Sequence, residues 1–198
     1  MAISDNLWQG ASVRLTGVTK DDLPILARWH ADAGFLRLLD ARAAKPQTQD
    51  DVSKWVEEAQ RSANGYLFAV RPLADEELLG FVELDGIHWN RGVGWLAIAI
   101  GDRDNWGKGI GTEAMDLILR FAFHELNLHR VQLTVFEYND RAIAVYEKLG
   151  FQREGVYREA LYRDNQRYDM FLYGLLRREW EARRSSAGSE GGENRAIS

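Results

Sequence analysis

The 198-residue chain contains no cysteine. Disulfides, thiolate metal sites and a cysteine nucleophile are thereby excluded, while nothing follows about redox compartment. Serine is also missing where a nucleophile would be wanted, with none between Ser62 and Ser185. No apolar run is long enough to cross a bilayer, since the most apolar stretch, Val93 to Ile100, falls far short of the roughly 20 residues required. The start, Met1-Ala2-Ile3-Ser4-Asp5-Asn6, lacks a basic segment followed by an apolar one, so a soluble cytoplasmic protein is expected. The histidines, His30, His88, His124 and His129, show no metal-ligand spacing such as His-x-x-x-His, and no metal is expected. A basic excess is missing too. Lys and Arg total 25 against 30 Asp and Glu, a formal charge of −5. Such a surface repels a phosphate backbone and suits a neutral or basic partner, so neither nucleic acid nor membrane is an expected partner.

What is present describes one domain with a sizeable core. Hydrophobic residues make up 45% and aromatics 11%, enough to exclude wholesale disorder. The domain is expected over residues 10–180, and Ser185 to Ser198, rich in Ser, Gly and Glu, reads as a disordered tail. Val13-Arg14-Leu15 reads as a short strand. Thr19 followed by Asp22, and Thr48 followed by Asp51, are helix-start signatures for segments reaching His30 and Ala59, with Ala41 to Gln47 as the loop between. Strands are predicted at Tyr66–Val70 and Leu78–Leu84, then at Val93–Ile100, whose unbroken apolar character implies burial on both faces. Ile110, Ala114, Leu117, Ile118, Phe121 and Ala122 form one helical stripe. A strand at Arg130–Phe136, a helix from Asn139 to Leu149 ended by Gly150, and two strands around an Asp164-Asn165 turn complete the pattern. The order β-α-α-β-β-β-α-β-α-β-β places a single mixed α/β sheet between helices.

The segment Asn105-Trp106-Gly107-Lys108-Gly109-Ile110-Gly111-Thr112-Glu113-Ala114 joins the apolar strand to the long helix. Alternating glycines leave backbone N–H groups uncovered, and the helix start adds unpaired amides and the positive end of its dipole. This is a site for an anion, most naturally a pyrophosphate. The nucleoside triphosphate loop needs Gly-x-x-x-x-Gly-Lys and then Ser or Thr, which this segment does not supply. The dinucleotide fingerprint Gly-x-Gly-x-x-Gly also fails, because the loop runs Gly-x-Gly-x-Gly in mid-chain.

Gly107-Lys108-Gly109-Ile110-Gly111-Thr112-Glu113-Ala114 after an apolar strand resembles the acetyl-coenzyme A pyrophosphate loop of the GNAT superfamily of N-acetyltransferases. Gly109 and Gly111 match the family's glycines, and Trp106 stands where Arg or Gln is usual. Trp there is similar to the branch of ribosomal-protein N-terminal and spermidine acetyltransferases. One strand downstream, Asn139-Asp140-Arg141-Ala142-Ile143-Ala144-Val145-Tyr146-Glu147-Lys148-Leu149-Gly150-Phe151 is similar to the family's Asn-x-x-Ala-x-x-x-Tyr-x-x-x-Gly-Phe segment. The resemblance covers about residues 10 to 176 and implies a mostly antiparallel sheet and acetyl-CoA as cosubstrate.

Asn139 and Tyr146 lie two helical turns apart and project to nearly one side. The resemblance implies that Asn139 meets the pantetheine arm and that the Tyr146 hydroxyl protonates or hydrogen-bonds the departing sulfur. It further implies that Leu96 to Ile100 splays from the next strand and offers backbone groups to pantetheine. One N–H there serves as oxyanion donor, with Ile98 or Ile100 favoured and Ala99 between them. Trp106 to Thr112 are the expected pyrophosphate loop. Lys108, Arg141 and Lys148 are candidate phosphate cations. With no Ser or Cys in the core, direct transfer to an amine is expected. The base is Glu83, Asp85, His88 or a water path.

The acceptor wall is expected from the early helices and final hairpin, where Trp29, Phe35, Trp55, Trp89, Tyr157, Tyr162 and Tyr168 are available. The acidic balance leans toward a cationic acceptor: a protein N-terminus, polyamine, amino sugar or aminoglycoside. A longer acyl donor and a non-catalytic acyl-CoA-binding sensor or interaction module are the rival readings. The last strands are compatible with a homodimer.

Overall fold

The computed structural model describes residues 6–190, with side chains through residue 186; Met1 to Asp5 and 191–198 lie outside the described residues. The first strand, β1 (Val13–Gly17), leads through a tight turn at Lys20–Asp22 into α1 (Leu23–His30), whose first turn carries Pro24. A second helix, α2 (Ala33–Leu39), follows at once, and α3 (Gln49–Arg61) starts at the Thr48–Asp51 capping box. Three strands then meander, β2 (Tyr66–Pro72), β3 (Gly80–His88) and β4 (Val93–Ile100), before α4 (Ile110–Arg120). The chain continues through β5 (Arg130–Phe136), α5 (Asp140–Leu149), β6 (Gln152–Arg163), β7 (Gln166–Leu176) and α6 (Arg177–Glu190). Asp164 and Asn165, both at positive φ, form the two-residue β6–β7 turn, which fits the twist of the flanking strands.

One seven-stranded sheet results, ordered β1-β2-β3-β4-β5-β7-β6. Every neighbouring pair is antiparallel except β4–β5. The period of two sends alternate side chains to opposite faces. Val82, Leu84 and Leu96 join the core under α4, while Leu67, Phe81 and Ala99 join a second core under α1 to α3. Among the described residues no helix is long and apolar enough to cross a membrane.

Three expectations need correction. The stretch after α1 contains α2, capped by the Asp32 carboxylate accepting the Gly34 N–H at 2.7 Å. Strand β4 is not buried on both faces: Trp95, Ala97, Ile98 and Ile100 are only half-buried because they line a cleft. Finally, Ser185 and Ser186 lie in α6, their hydroxyls donating to carbonyls of the preceding turn, so the helix runs past the expected start of the tail, whose remainder from 191 to 198 lies outside the described residues. Trp180, buried against Phe123, anchors this helix.

A buried ion pair joins β2 to the turn that opens α1. The Arg71 guanidinium on β2 donates from Nη2 to both Asp22 carboxylate oxygens, at 2.8 and 2.7 Å, with side chains only 5% and 4% exposed. Its Nε donates to Thr16 Oγ1 at 2.9 Å and Nη1 to the Glu76 carbonyl at 2.5 Å. The charges are therefore paired, and four of the five guanidinium hydrogens are used. Removing one partner leaves an uncompensated charge in the interior. Arg71→Ala or Asp22→Ala is expected to cost about 3–5 kcal/mol by denaturant titration; a loss below about 1 kcal/mol would show that water reaches the pair.

Candidate active site

The parallel pairing of β4 with β5 lasts for three residue pairs, Val93–Arg130, Gly94–Val131 and Trp95–Gln132, and then ends. Beyond it, β4 stays paired to β3 as far as Ile100–Gly80, and β5 to β7 as far as Phe136–Met170. Each strand thus keeps one partner and turns its other edge to an opening. A cleft of about 830 Å³ occupies that opening. One wall is Trp95 to Ile100. The facing wall is Thr134 to Phe136 with Asn139, which precedes α5, and Arg141 and Tyr146 of α5.

The glycine loop closes one end. Gly107 and Gly109 have φ of +75° and +84°, and a Cβ on either would point into open space. Gly109 is the N-cap of α4, and the first helical bond onto it is from the Glu113 N–H at 3.0 Å. The amides of Ile110, Gly111 and Thr112 therefore have no carbonyl one turn back. All three residues line the cleft with Gly107 and Gly109, a cradle suited to a pyrophosphate. The Glu113 carboxylate is drawn away from the cradle to the start of β1, accepting the backbone N–H of Ser12 at 2.8 Å.

Trp106 has two tasks there. Its Nε1–H donates to the Ile100 carbonyl at 2.9 Å, fastening the loop to the end of β4. Its face carries the Arg141 guanidinium, 3.6 Å from the ring centroid. Arg141 has no carboxylate partner among the described residues, so a cation from α5 stands at the loop where the family's Arg or Gln is replaced by Trp. The sequence placed both residues at the site without showing that they touch.

On α5, the Asn139 carbonyl oxygen accepts the Ala142 N–H at 3.3 Å, so this side chain is the helix N-cap while its residue lines the cleft. Tyr146 is buried, packs near Phe151 and Tyr173, and its hydroxyl has no hydrogen-bond partner among the described residues. Burial pushes its phenol up to about 12, so it holds its proton at neutral pH. It is a donor waiting for an acceptor.

The carboxylates lie at the other end. Glu83 shares a sheet face with Phe81 and Asp85, and pairs across the strands with Leu67 and Ala97. Burial first, and the neighbouring Asp85 charge second, push Glu83 up to about 7. Burial also raises Asp85. A bulge between Asp85 and His88, with Gly86 at positive φ, turns Asp85 and Gly86 into the cleft lining, which Glu83 does not reach. His88 is exposed and Lys108 lies outside the lining, whereas Lys148 is part of it.

The acceptor-side aromatics are redistributed. Of the seven expected, only Phe35 lines the cleft. Trp29 is core, Trp55 packs on His30 and Phe81, Trp89 donates to Asn64 at 2.8 Å, Tyr168 packs on Tyr138, and Tyr157 and Tyr162 are exposed on the hairpin. The wall instead comes from the end of α2, through Leu38, Leu39, Asp40 and Ala41, facing Phe136 and Met170. Among the described residues no group of three or more His, Asp or Glu side chains is placed to hold a metal ion.

The raised Glu83 carboxyl carries a stability signature. The folded protein holds this proton up to about pH 7 while the ordinary carboxyl releases it near 4.5, so stability falls as pH rises through that window. Glu83→Gln is expected to be more stable than the parent well above pH 7, by roughly 1–3 kcal/mol, and nearly equal near the lower limit. Denaturant titrations at both ends check this; an equal difference at both would mean that the carboxyl is solvated.

Comparison with known proteins agrees with the geometry. The model of the acetyltransferase (GNAT) domain family matches residues 12–152. The chain is 29% identical over 174 residues to YokL, an uncharacterized N-acetyltransferase derived from the SPbeta prophage of Bacillus subtilis, covering 88% of this chain and 95% of that protein. It is 31% identical to YdaF, a candidate ribosomal N-acetyltransferase of Bacillus subtilis, over 74% of this chain and 92% of that protein. Its fold matches the crystal structure of spermidine N-acetyltransferase from Vibrio cholerae in complex with CoA and spermine, with a TM-score of 0.79 and 21% identity. That match covers 87% of this chain and 99% of the other.

Proposed function

The chain belongs to the GNAT family of acetyltransferases, and we propose that it transfers the acetyl group of acetyl-CoA directly to a cationic primary amine within a ternary complex. The observation that carries this reading is the meeting, in one cleft, of the parted β4 edge, the open amide cradle and the unpartnered Tyr146 hydroxyl. Acetyl-CoA supplies the activated thioester. The chain's own groups do the rest.

Pyrophosphate is held by the amides of Gly109 to Thr112 and the dipole of α4, with Arg141 over Trp106 adding a cation. The free edge of Leu96 to Ile100 receives the pantetheine amides, and an N–H near Ile98 or Ile100 faces the thioester oxygen as its negative charge grows. The Ile100 carbonyl is already engaged by Trp106. Tyr146, with its proton held tightly, donates a hydrogen bond to the sulfur as the carbon–sulfur bond breaks. No serine or cysteine lines the cleft, where the hydroxyl side chains are Thr112, Thr134 and Tyr146. The carbon–nitrogen bond thus forms directly with the amine.

The attacking nitrogen must be neutral. Asp85 lines the cleft, and Glu83 lies behind it on the same face, titrating near neutrality. We assign the amine's proton to this carboxylate pair, with Asp85 at the cleft and Glu83 as the group poised near working pH. The same carboxylate end favours a cationic acceptor, while the nearby Asp40 carboxylate is already paired with Arg42. The Vibrio cholerae neighbour, a spermidine N-acetyltransferase crystallised with spermine, makes a polyamine the first acceptor to try. A protein N-terminus is the second, from the name of the YdaF relative. A cytoplasmic location belongs to the same reading.

Thiol release from acetyl-CoA, measured over spermidine, spermine, a short peptide with a free N-terminus and glucosamine, tests this function. Amine-dependent release is expected for at least one cationic acceptor. Tight coenzyme A binding with no release for any of them would leave an acyl-CoA-binding module instead. Gly109→Asp, which sets a charge and a Cβ in the cradle at φ +84°, is expected to weaken coenzyme A binding by about a hundredfold or more in calorimetry. Unchanged affinity would remove the cradle from the site. Tyr146→Phe is expected to lower kcat by about 10²-fold while leaving coenzyme A affinity nearly unchanged. A full-rate variant would return Tyr146 to the core.

A further inference from the structure

The α2 end of the cleft wall is held by a side chain from a distant part of the chain. Residues 40–47 cross from α2 to α3 without regular secondary structure. A second groove, about 350 Å³, lies between this crossing and the tip of the β6–β7 hairpin, lined by Ala41 to Ala44 and by Leu161 to Asp164. Packing on the hairpin side of the crossing is therefore thin, although Ala44 touches the core under α1 to α3, and hydrogen bonds fix that side.

Arg163, the last residue of β6, supplies them. Its Nη1 donates to the Arg37 carbonyl at 2.5 Å and to the Tyr138 hydroxyl at 2.8 Å. Its Nη2 donates to the Asp40 carbonyl at 2.6 Å and the Arg42 carbonyl at 3.2 Å. The guanidinium also lies 5.5 Å from the ring centre of Phe136, which lines the cleft. Two neighbours reinforce the attachment: Tyr138 donates to the Arg37 carbonyl at 2.7 Å, and Asp164 pairs with the Arg37 guanidinium. The carbonyls so held belong to the last turn of α2 and the residues after it, where a helix leaves its carbonyls without partners. Leu38, Leu39, Asp40 and Ala41, which form the cleft wall, sit between the attachment points. None of these contacts reaches the glycine loop or α4.

We infer that Arg163 is a positioning residue that sets the acceptor wall of the cleft, and with it the amine the enzyme accepts. Only the identity of what the wall binds rests on the acetyl-transfer reading; the attachment stands on its own geometry. A planar guanidinium that spans four oxygens cannot be replaced by a single ammonium without losing some of them. Arg163 thus couples the hairpin tip to acceptor recognition and leaves cosubstrate binding alone.

Hydrogen exchange and steady-state kinetics of Arg163→Ala, with Arg163→Lys as the conservative variant, test this. For Arg163→Ala, amides of residues 38–42 are expected to exchange about tenfold faster or more, with α4 and α5 unchanged. Using the best amine of the panel above, acceptor KM is expected to rise about fivefold or more, with coenzyme A affinity unchanged. Arg163→Lys is expected to recover part of both effects. Unaltered exchange at 38–42 overturns the attachment. Faster exchange with unaltered acceptor KM, or an equal loss of coenzyme A affinity, overturns the assignment to acceptor selection. If Arg163→Ala does not fold, Tyr138→Phe, which removes one bond to the Arg37 carbonyl and one from Arg163, is read by the same two measures. Should the parent enzyme acetylate no amine, the functional reading fails while the exchange result still upholds or overturns the attachment.

Discussion

The parting of β4 from β5 after Trp95 and Gln132 is the constraint on which the site depends. Backbone N–H and C=O groups inside a protein are almost always paired, so an interior strand edge left open is costly unless something occupies it. Here both strands stay anchored, β4 to β3 and β5 to β7, while the edges between them diverge. The topology then places two helix starts at the mouth of that divergence. Helix α4 follows β4 directly through the glycine loop, and α5 follows β5 through Asn139. Ligands in open sheets favour the carboxyl ends of parallel strands at such a division. The phosphate cradle, the amide edge and Tyr146 come from separate segments, and one break in pairing brings them together.

The charge distribution follows the same geometry. A protein with a formal charge of −5 is a poor general host for a polyanion. In the proposed reading, the cradle meets this by using amides and a helix dipole, whose positive character does not count in the net charge. Arg141 adds one cation, and its place on Trp106 explains how a loop with Trp at the family's Arg or Gln position keeps a positive group there. At the far end, Asp85 lines the cleft with the titratable Glu83 behind it, while the Asp40 carboxylate is paired with Arg42. In the proposed reading, one cleft has a phosphate end and an amine end, separated by the β4 edge and Tyr146.

Much of this could be read from residue order, because the two motifs are local. The glycine loop and the Asn139-to-Phe151 segment carry their chemistry at short spacing, and all their expected cleft residues except Lys108 line the cleft. Helix α2 was missed for a physical reason: Ala33–Leu39 spans two turns, contains Gly34, and gains its order from tertiary packing of Phe35 and Leu36. The polar helix α6 has little periodic signal and is held by Trp180. The apolar run of β4 was read as full burial, since a strand facing a ligand cleft uses the same residues as one facing a core. The Trp106–Arg141 stack and the Arg163 attachment were out of reach, because each joins residues distant in the chain and neither belongs to a motif.

A crystal structure of the protein with coenzyme A tests the central claim most directly. The account predicts pantetheine lying between β4 and β5, with its amides on the backbone of Leu96 to Ile100. Its pyrophosphate should rest on the amides of Gly109 to Thr112, and its sulfur should lie within hydrogen-bond reach of the Tyr146 hydroxyl. Coenzyme A bound away from the β4 edge, or seated there with its sulfur far from Tyr146, would contradict it.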